Sequence, residues 1–168
     1  MTLFKIIKNL SFRKTQRLFL AMLSKPLFLI PTVLATVESI IYSELYFDEN
    51  HSGRGVANAF RHASWTVLIA KNVECLTTKQ KAMDWAESIT NLHEEVFYNT
   101  NDFDRLMDLH NNEIGRKFYI EHSKEEKLPK RKLMKKLVEK SQHAIGLETA
   151  SEISSNIDEL VFLKNWNK

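Results

Sequence analysis

Glycine and proline together supply seven of the 168 residues, four and three respectively, where average usage of about 7% and 5% would supply roughly 20. No proline occurs from residue 32 to residue 128. A sandwich, a barrel or a Rossmann sheet turns sharply every few residues and draws on glycine and proline to do so. This chain is therefore restricted to a few long helices. The expectation is an all-α, single-domain bundle of about six or seven helices, in a chain long enough to bury a real core.

The net charge of +3 hides an uneven distribution. Residues 1–37 carry six Lys or Arg and no acid, whereas residues 38–120 carry 8 basic and 13 acidic residues. Residues 121–140 are basic again, 8 against 4, and residues 141–168 mildly acidic, 2 against 4. Basic flanks around an acidic middle do not make a nucleic-acid surface, and nucleic acid is not an expected partner. Cys75 is the one cysteine, which excludes an intrachain disulfide and a Cys-rich zinc site and fits a cytoplasmic protein.

Lys5, Lys8, Arg13, Lys14 and Arg17 precede an apolar run over residues 18–23, a charge pattern like that of a signal peptide. Lys25, Pro26 and Pro31 interrupt it, and no small-residue cleavage site follows. Residues 18–41 could span a bilayer by length, but they contain Lys25, Glu38 and two prolines. Two readings stay open. One is a pair of core helices broken at residues 26–31; the other is peripheral contact with the inner membrane through residues 1–37.

Residues 1–30 accordingly read as a basic, apolar N-terminal helical segment. Residues 31–168 read as one helical domain with a motif core at 56–122. Pro31 fits the first turn of a helix running to about residue 47, because its missing N–H costs nothing there. Residues 48–55, with two of the four glycines, read as a loop that contains His51. Helical periodicity follows over 56–76, with apolar or small residues at Ala59, Ala63, Val67 and Ala70. Thr77 and Gln80 form a capping-box pattern before a helix over 78–98, and Asn101 or Asp102 can cap the next, to about His122. Pro129 leads into a helix ending near Gly146, and a last helix is expected over 149–166.

Three of these helices carry polar residues where an amphipathic helix should bury leucine. Asn58, His62, Trp65 and Ile69 form one stripe at spacings of 4, 3 and 4, with Arg61 beside it. His93 and Glu94 follow the apolar positions Trp85, Ile89 and Leu92 on the second helix. On the third, Asp108, Asn112, Gly115 and Tyr119 repeat at 4, 3 and 4, flanked by Asn111 and Arg116. Successive antiparallel helices can bring all three groups to one level of a bundle. His62, His93, Glu94 and Asp108 would then form a mixed N/O site for a divalent metal such as zinc. Without metal, a histidine paired to a carboxylate could activate water directly. Asn112 and Arg116 are candidates to stabilise negative charge, and Gly115 to let a neighbouring helix come close.

His93-Glu94-Glu95-Val96-Phe97 lacks the second histidine of H-E-x-x-H, so it is not that metalloprotease motif. The glycine signatures of P-loop NTPases, Rossmann enzymes and α/β-hydrolases do not occur. The blocks Asn58-Ala59-Phe60-Arg61-His62-Ala63-Ser64-Trp65, His93-Glu94, and Met107-Asp108-Leu109-His110-Asn111-Asn112-Glu113-Ile114-Gly115-Arg116 resemble an uncharacterised bacterial domain family. That family occurs as small stand-alone proteins and at the ends of large toxin-like repeat proteins. The resemblance covers about residues 32–120. It implies that the three blocks act as one site and names no reaction.

Two functional readings follow. The first is a small helical hydrolase acting on a small molecule, a lipid or a phosphoester, with His62, His93, Glu94, Asp108, Asn112 and Arg116 at the reaction centre. The second is a non-enzymatic binding or membrane-associated module whose polar network only ties helices together. Trp65 is expected to pack in the core, and Arg116 either to pair with Asp108 or to bind an anion. Glu38 and Glu44 are weaker carboxylate candidates. His110, His122 and His143 are expected to face solvent, as is most of residues 124–140.

Overall fold

The computed structural model describes residues 12–47, 53–97, 102–123 and 128–164. His51, the Asn101 cap, Lys5 and Lys8 lie outside the described residues. The fold is the expected all-α bundle. Its helices are α1 (Phe12–Ser24), α2 (Pro26–Tyr46), α3 (Val56–Glu74), α4 (Lys79–Phe97), α5 (Phe103–His122) and α6 (Lys130–Ser141). Pro26 occupies the first position of α2, and Pro31 lies inside the helix rather than in its first turn. The Pro31 carbonyl accepts from the Asn72 side chain at 3.2 Å, which ties the second turn of α2 to α3. Thr78, not Thr77, accepts from the Lys81 N–H at the start of α4. Asp102 caps α5 by accepting from the Asp104 N–H.

Helix α3 is the axle of the molecule: it packs against α2, α4, α5 and α6. Fourteen of its nineteen residues are buried, so it is apolar or small nearly all round, as a helix enclosed by others must be. Close approach is possible because Ala59, Ala63 and Ala70 present little bulk, and because Gly115 of α5 lies directly on the Ala63 backbone. α1 lies across α4 and against α2. One face of α2, Thr32, Ala35, Ser39 and Ser43, packs inward and carries hydroxyls that meet α3 and α4. Trp85 Nε1–H donates to Thr32 at 3.0 Å, Trp65 Nε1–H donates to Thr36 at 2.9 Å, and Ser43 donates to the Ala57 carbonyl.

The C-terminal part departs from expectation. α6 ends at Ser141, and the helix anticipated over 149–166 does not form. Instead β1 (Ile145–Leu147) and β2 (Val161–Leu163) pair in parallel, with Ile145 opposite Val161, and a 3-10 helix (Ala150–Ser155) connects them. The physical reason is local and distant at once. Ser154, Ser155 and Asn156 favour turns over a continuing helix. The Asn111 side chain of α5 then docks β2 with a pair of 2.9 Å hydrogen bonds, one to the Val161 carbonyl and one from its N–H. Thr149 and Glu152 form a capping box that opens the 3-10 turn.

Candidate active site

His62, Glu94 and Asp108 come from α3, α4 and α5 and meet in the core, each at most 1% exposed. The imidazole lies between the two carboxylates. Its Nδ1 is 3.4 Å from Glu94 Oε1 and its Nε2 is 3.3 Å from Asp108 Oδ1. Arg61 Nη2 approaches His62 Nε2 to 2.6 Å, which requires that nitrogen to accept and places the ring proton on Nδ1, facing Glu94. The same guanidinium donates to Asn58 Oδ1 at 2.7 Å, and Asn58 Nδ2 donates to Asp108 Oδ1 at 3.1 Å. Asn112 donates to Glu94 Oε1 at 3.3 Å and is itself held by Thr66 at 3.1 Å. Every carboxylate in the cluster therefore has an amide that fixes its orientation.

Burial acts on the two acids in the same direction, but their neighbours separate them. Against the cost of burial, the neighbouring imidazoles of His62 and His93 hold the Glu94 carboxyl well below the usual carboxylate range. Burial pushes Asp108 up; His62 pulls it back, and the nearby Glu94 charge adds to the rise. Environments that drive two carboxyls apart in this way are a recurrent feature of functional sites. Among the described residues, His62 Nδ1 and Glu94 Oε2 are buried polar atoms without a hydrogen-bond partner. One ligand atom from each of His62, Glu94 and Asp108 lies within 4.8 Å of the others, so the trio is also a candidate cation site.

His93 is the outward member. Its side chain is 30% exposed, and its Nδ1 is 3.2 Å from Glu94 Oε1. Trp65 meets the ring edge-on at 5.1 Å between centroids, and Phe97 lies at 4.6 Å. His93, Arg61 and Trp65 line one side of a cavity of about 270 Å³ between α1, α2, α3 and α4. Its other walls are mostly apolar, including Leu18, Met22, Val33, Ile40 and Phe97. Arg61 and His93 thus belong to both the buried cluster and the cavity. The sequence placed Arg61 only beside the stripe; its position next to His62 in the motif was the available signal. The cavity itself had no signature, because α1 and α2 supply half of it.

Arg116 is held elsewhere. Of its two expected roles, the pairing with Asp108 does not form: Glu113 and Glu87 engage its guanidinium, the latter at 3.5 Å, and Asn58 contacts Asp108 instead. Neither Glu38 nor Glu44 joins the cluster. Glu38 accepts from Asn72 and Lys130, and Glu44 is exposed. His110 is half-buried and bonded to the Glu159 carbonyl at 2.8 Å, and His122 stacks on Phe118 within its own helix. Only His143 of the three faces solvent as expected.

The sequence model of the family described as "Domain of unknown function (DUF6973)" matches residues 19–145. The chain belongs to that family. No curated protein and no solved structure matches it. The matched span of the family contains all three polar blocks and every wall of the cavity except Leu18. It stops at the first residue of β1, so the strand that Asn111 docks lies beyond it.

Proposed function

We propose that the protein is a small helical hydrolase whose reaction occurs in the cavity at His93, with the His62–Glu94–Asp108 cluster behind it as the positioning apparatus. One observation carries this reading. The sealed trio is too deep to touch a substrate, yet its Glu94 carboxylate accepts from the Nδ1–H of a histidine that lines the cavity. That contact leaves the lone pair on His93 Nε2, where it can take a proton from a water attacking an ester. Arg61 stands on the same side of the cavity and would stabilise the developing oxyanion. Asn112 and Asn58 keep the two carboxylates aligned, and Arg61 fixes His62.

A second reading is favoured by the buried Glu94 Oε2, which lacks a partner. A divalent cation such as zinc, taken by His62, Glu94 and Asp108, would satisfy it and would supply a water that ionises near neutral pH. Metal analysis of the purified protein, with turnover of nitrophenyl carboxyl and phosphate esters before and after chelation, separates the two. The metal-free reading expects ester turnover that survives chelation. His93→Ala should lower kcat by about 10²–10⁴-fold, with the melting temperature held within about 2 °C because the side chain is partly exposed. Stoichiometric metal, with activity lost on chelation, selects the cation site. No turnover, or a fully active His93→Ala protein, leaves the cluster as a structural network.

A further inference from the structure

Resting on the hydrolase reading, we infer that the α1–α2 face docks on an anionic lipid bilayer, so that the substrate is a membrane amphiphile whose acyl chain enters the cavity from the bilayer. Eleven of the sixteen exposed large hydrophobic residues among the described residues fall between Phe19 and Leu45. On α2 they recur at Leu27, Ile30, Leu34, Val37, Ile41 and Leu45, a stripe opposite the inward Thr32–Ser43 face, and Leu27 and Ile30 are 76% and 70% exposed. Phe19, Leu20 and Leu23 on α1 widen it to two helices. An apolar surface of that extent is rare on a monomer that meets only water.

Charge selects the occupant. Residues 1–37 carry six basic side chains and no acid; Lys25 stands exposed at the head of α2, and Arg17 on α1 is exposed and paired to Glu95 of α4 at 3.4 Å. A basic N-terminal stretch joined to an apolar face fits anionic headgroups above acyl chains. The exposed acid of the stripe, Glu44, sits near the far end of α2 from Lys25. α2 is 21 residues long and contains an 18-residue stretch of mean hydropathy 1.5, enough to cross a membrane by length and composition. Its hydrogen bonds to Trp85, Trp65, Asn72 and Ala57 hold it against the bundle instead, in the plane of the surface. Val33 and Ile40 belong both to the exposed face and to the cavity wall, so the face leads directly to His93 and Arg61.

The test is co-sedimentation of the full chain with vesicles of phosphatidylcholine alone or with one-third phosphatidylglycerol. Docking predicts pelleting with the anionic vesicles, weakened by salt and reversed by alkaline carbonate. It also predicts a drop of more than about tenfold in Leu27→Gln/Ile30→Gln/Leu34→Gln, since each exposed aliphatic group contributes to burial in lipid. Leu20→Gln/Leu23→Gln on α1 should act alike, and unchanged circular dichroism of both variants confirms that folding is intact. No pelleting of the parent protein overturns docking, as does resistance to carbonate, which means insertion across the bilayer. So does a dimer in solution that the α2 variant converts to monomer. Pelleting requires no turnover: binding without hydrolysis keeps the docking face and removes the enzyme reading. Hydrolysis of short soluble esters without binding does the reverse.

Discussion

A methyl group added to Gly115 would sit 2.5 Å from the Ala63 carbonyl oxygen and 2.9 Å from its Cα. Those are backbone atoms of the central helix, so no side chain can swing aside to make room. Alanine is favoured over glycine within a helix by about 1 kcal/mol, but overpacking of this kind costs about 1–3 kcal/mol or more. The clash decides the sign, because α3 and α5 must move apart and their contacts loosen along both helices. Gly115→Ala is therefore expected to lower the unfolding free energy by about 1–3 kcal/mol in denaturant titration. It should also weaken the His62–Asp108 contact, which spans the same pair of helices. Gly146→Ala is the control. There the new atom meets side-chain atoms, Lys164 Cγ and Phe162 Cζ, each at 3.0 Å, and side chains can yield where backbone cannot. Its cost should stay below about 1 kcal/mol. An equal response from the two glycines would mean that helix proximity is not what Gly115 protects.

Among the elements, β2 depends most on a single side chain. Asn111 is fully buried and satisfies both the N–H and the carbonyl of Val161, as a neighbouring strand would. Removing it leaves two buried backbone groups unpaired, at about 1–3 kcal/mol each. Asn111→Ala should destabilise the protein by about 2–4 kcal/mol and remove hydrogen-exchange protection from Val161 to Leu163 before that of α3 or α4. Uniform loss of protection across all elements would show instead that β2 has no stability of its own to lose. The same residue explains what the sequence could and could not convey. The helices α3, α4 and α5 were legible to within a residue or two, since each holds its periodic pattern for five turns. The strands were not. Three residues show no alternation, and their partner in the fold is a side chain fifty positions away. Ser154, Ser155 and Asn156 were the local warning against a last helix.

At the scale of the whole molecule, α3 has ionisable groups packed around both ends, and the sequence announced only one of them. The polar stripes identified His62, Glu94 and Asp108 because buried polar residues interrupt an apolar period. Their sealing and the cavity beside them depend on how α1 and α2 close over α3, which no local pattern records. The other end is where α3 finishes at Glu74. Its carboxylate accepts from the hydroxyl of Tyr119, a residue 1% exposed on α5. Burial first, and then the Glu74 charge, push the Tyr119 hydroxyl far above its ordinary value of 10.0. In the unfolded chain the hydroxyl ionises near pH 10. The folded state binds that proton more tightly, so the group's contribution is complete below pH 10 and declines as pH rises past 10 toward the folded value. Tyr42 is shifted in the same direction, first by burial and then by Glu38, and adds to the decline. The melting temperature should hold level to about pH 9.5 and fall above it. Tyr119→Phe should lose about 1 kcal/mol at neutral pH with its hydrogen bond, yet show a shallower alkaline fall. An alkaline slope identical in the parent and the Phe variant would place the titrating group elsewhere.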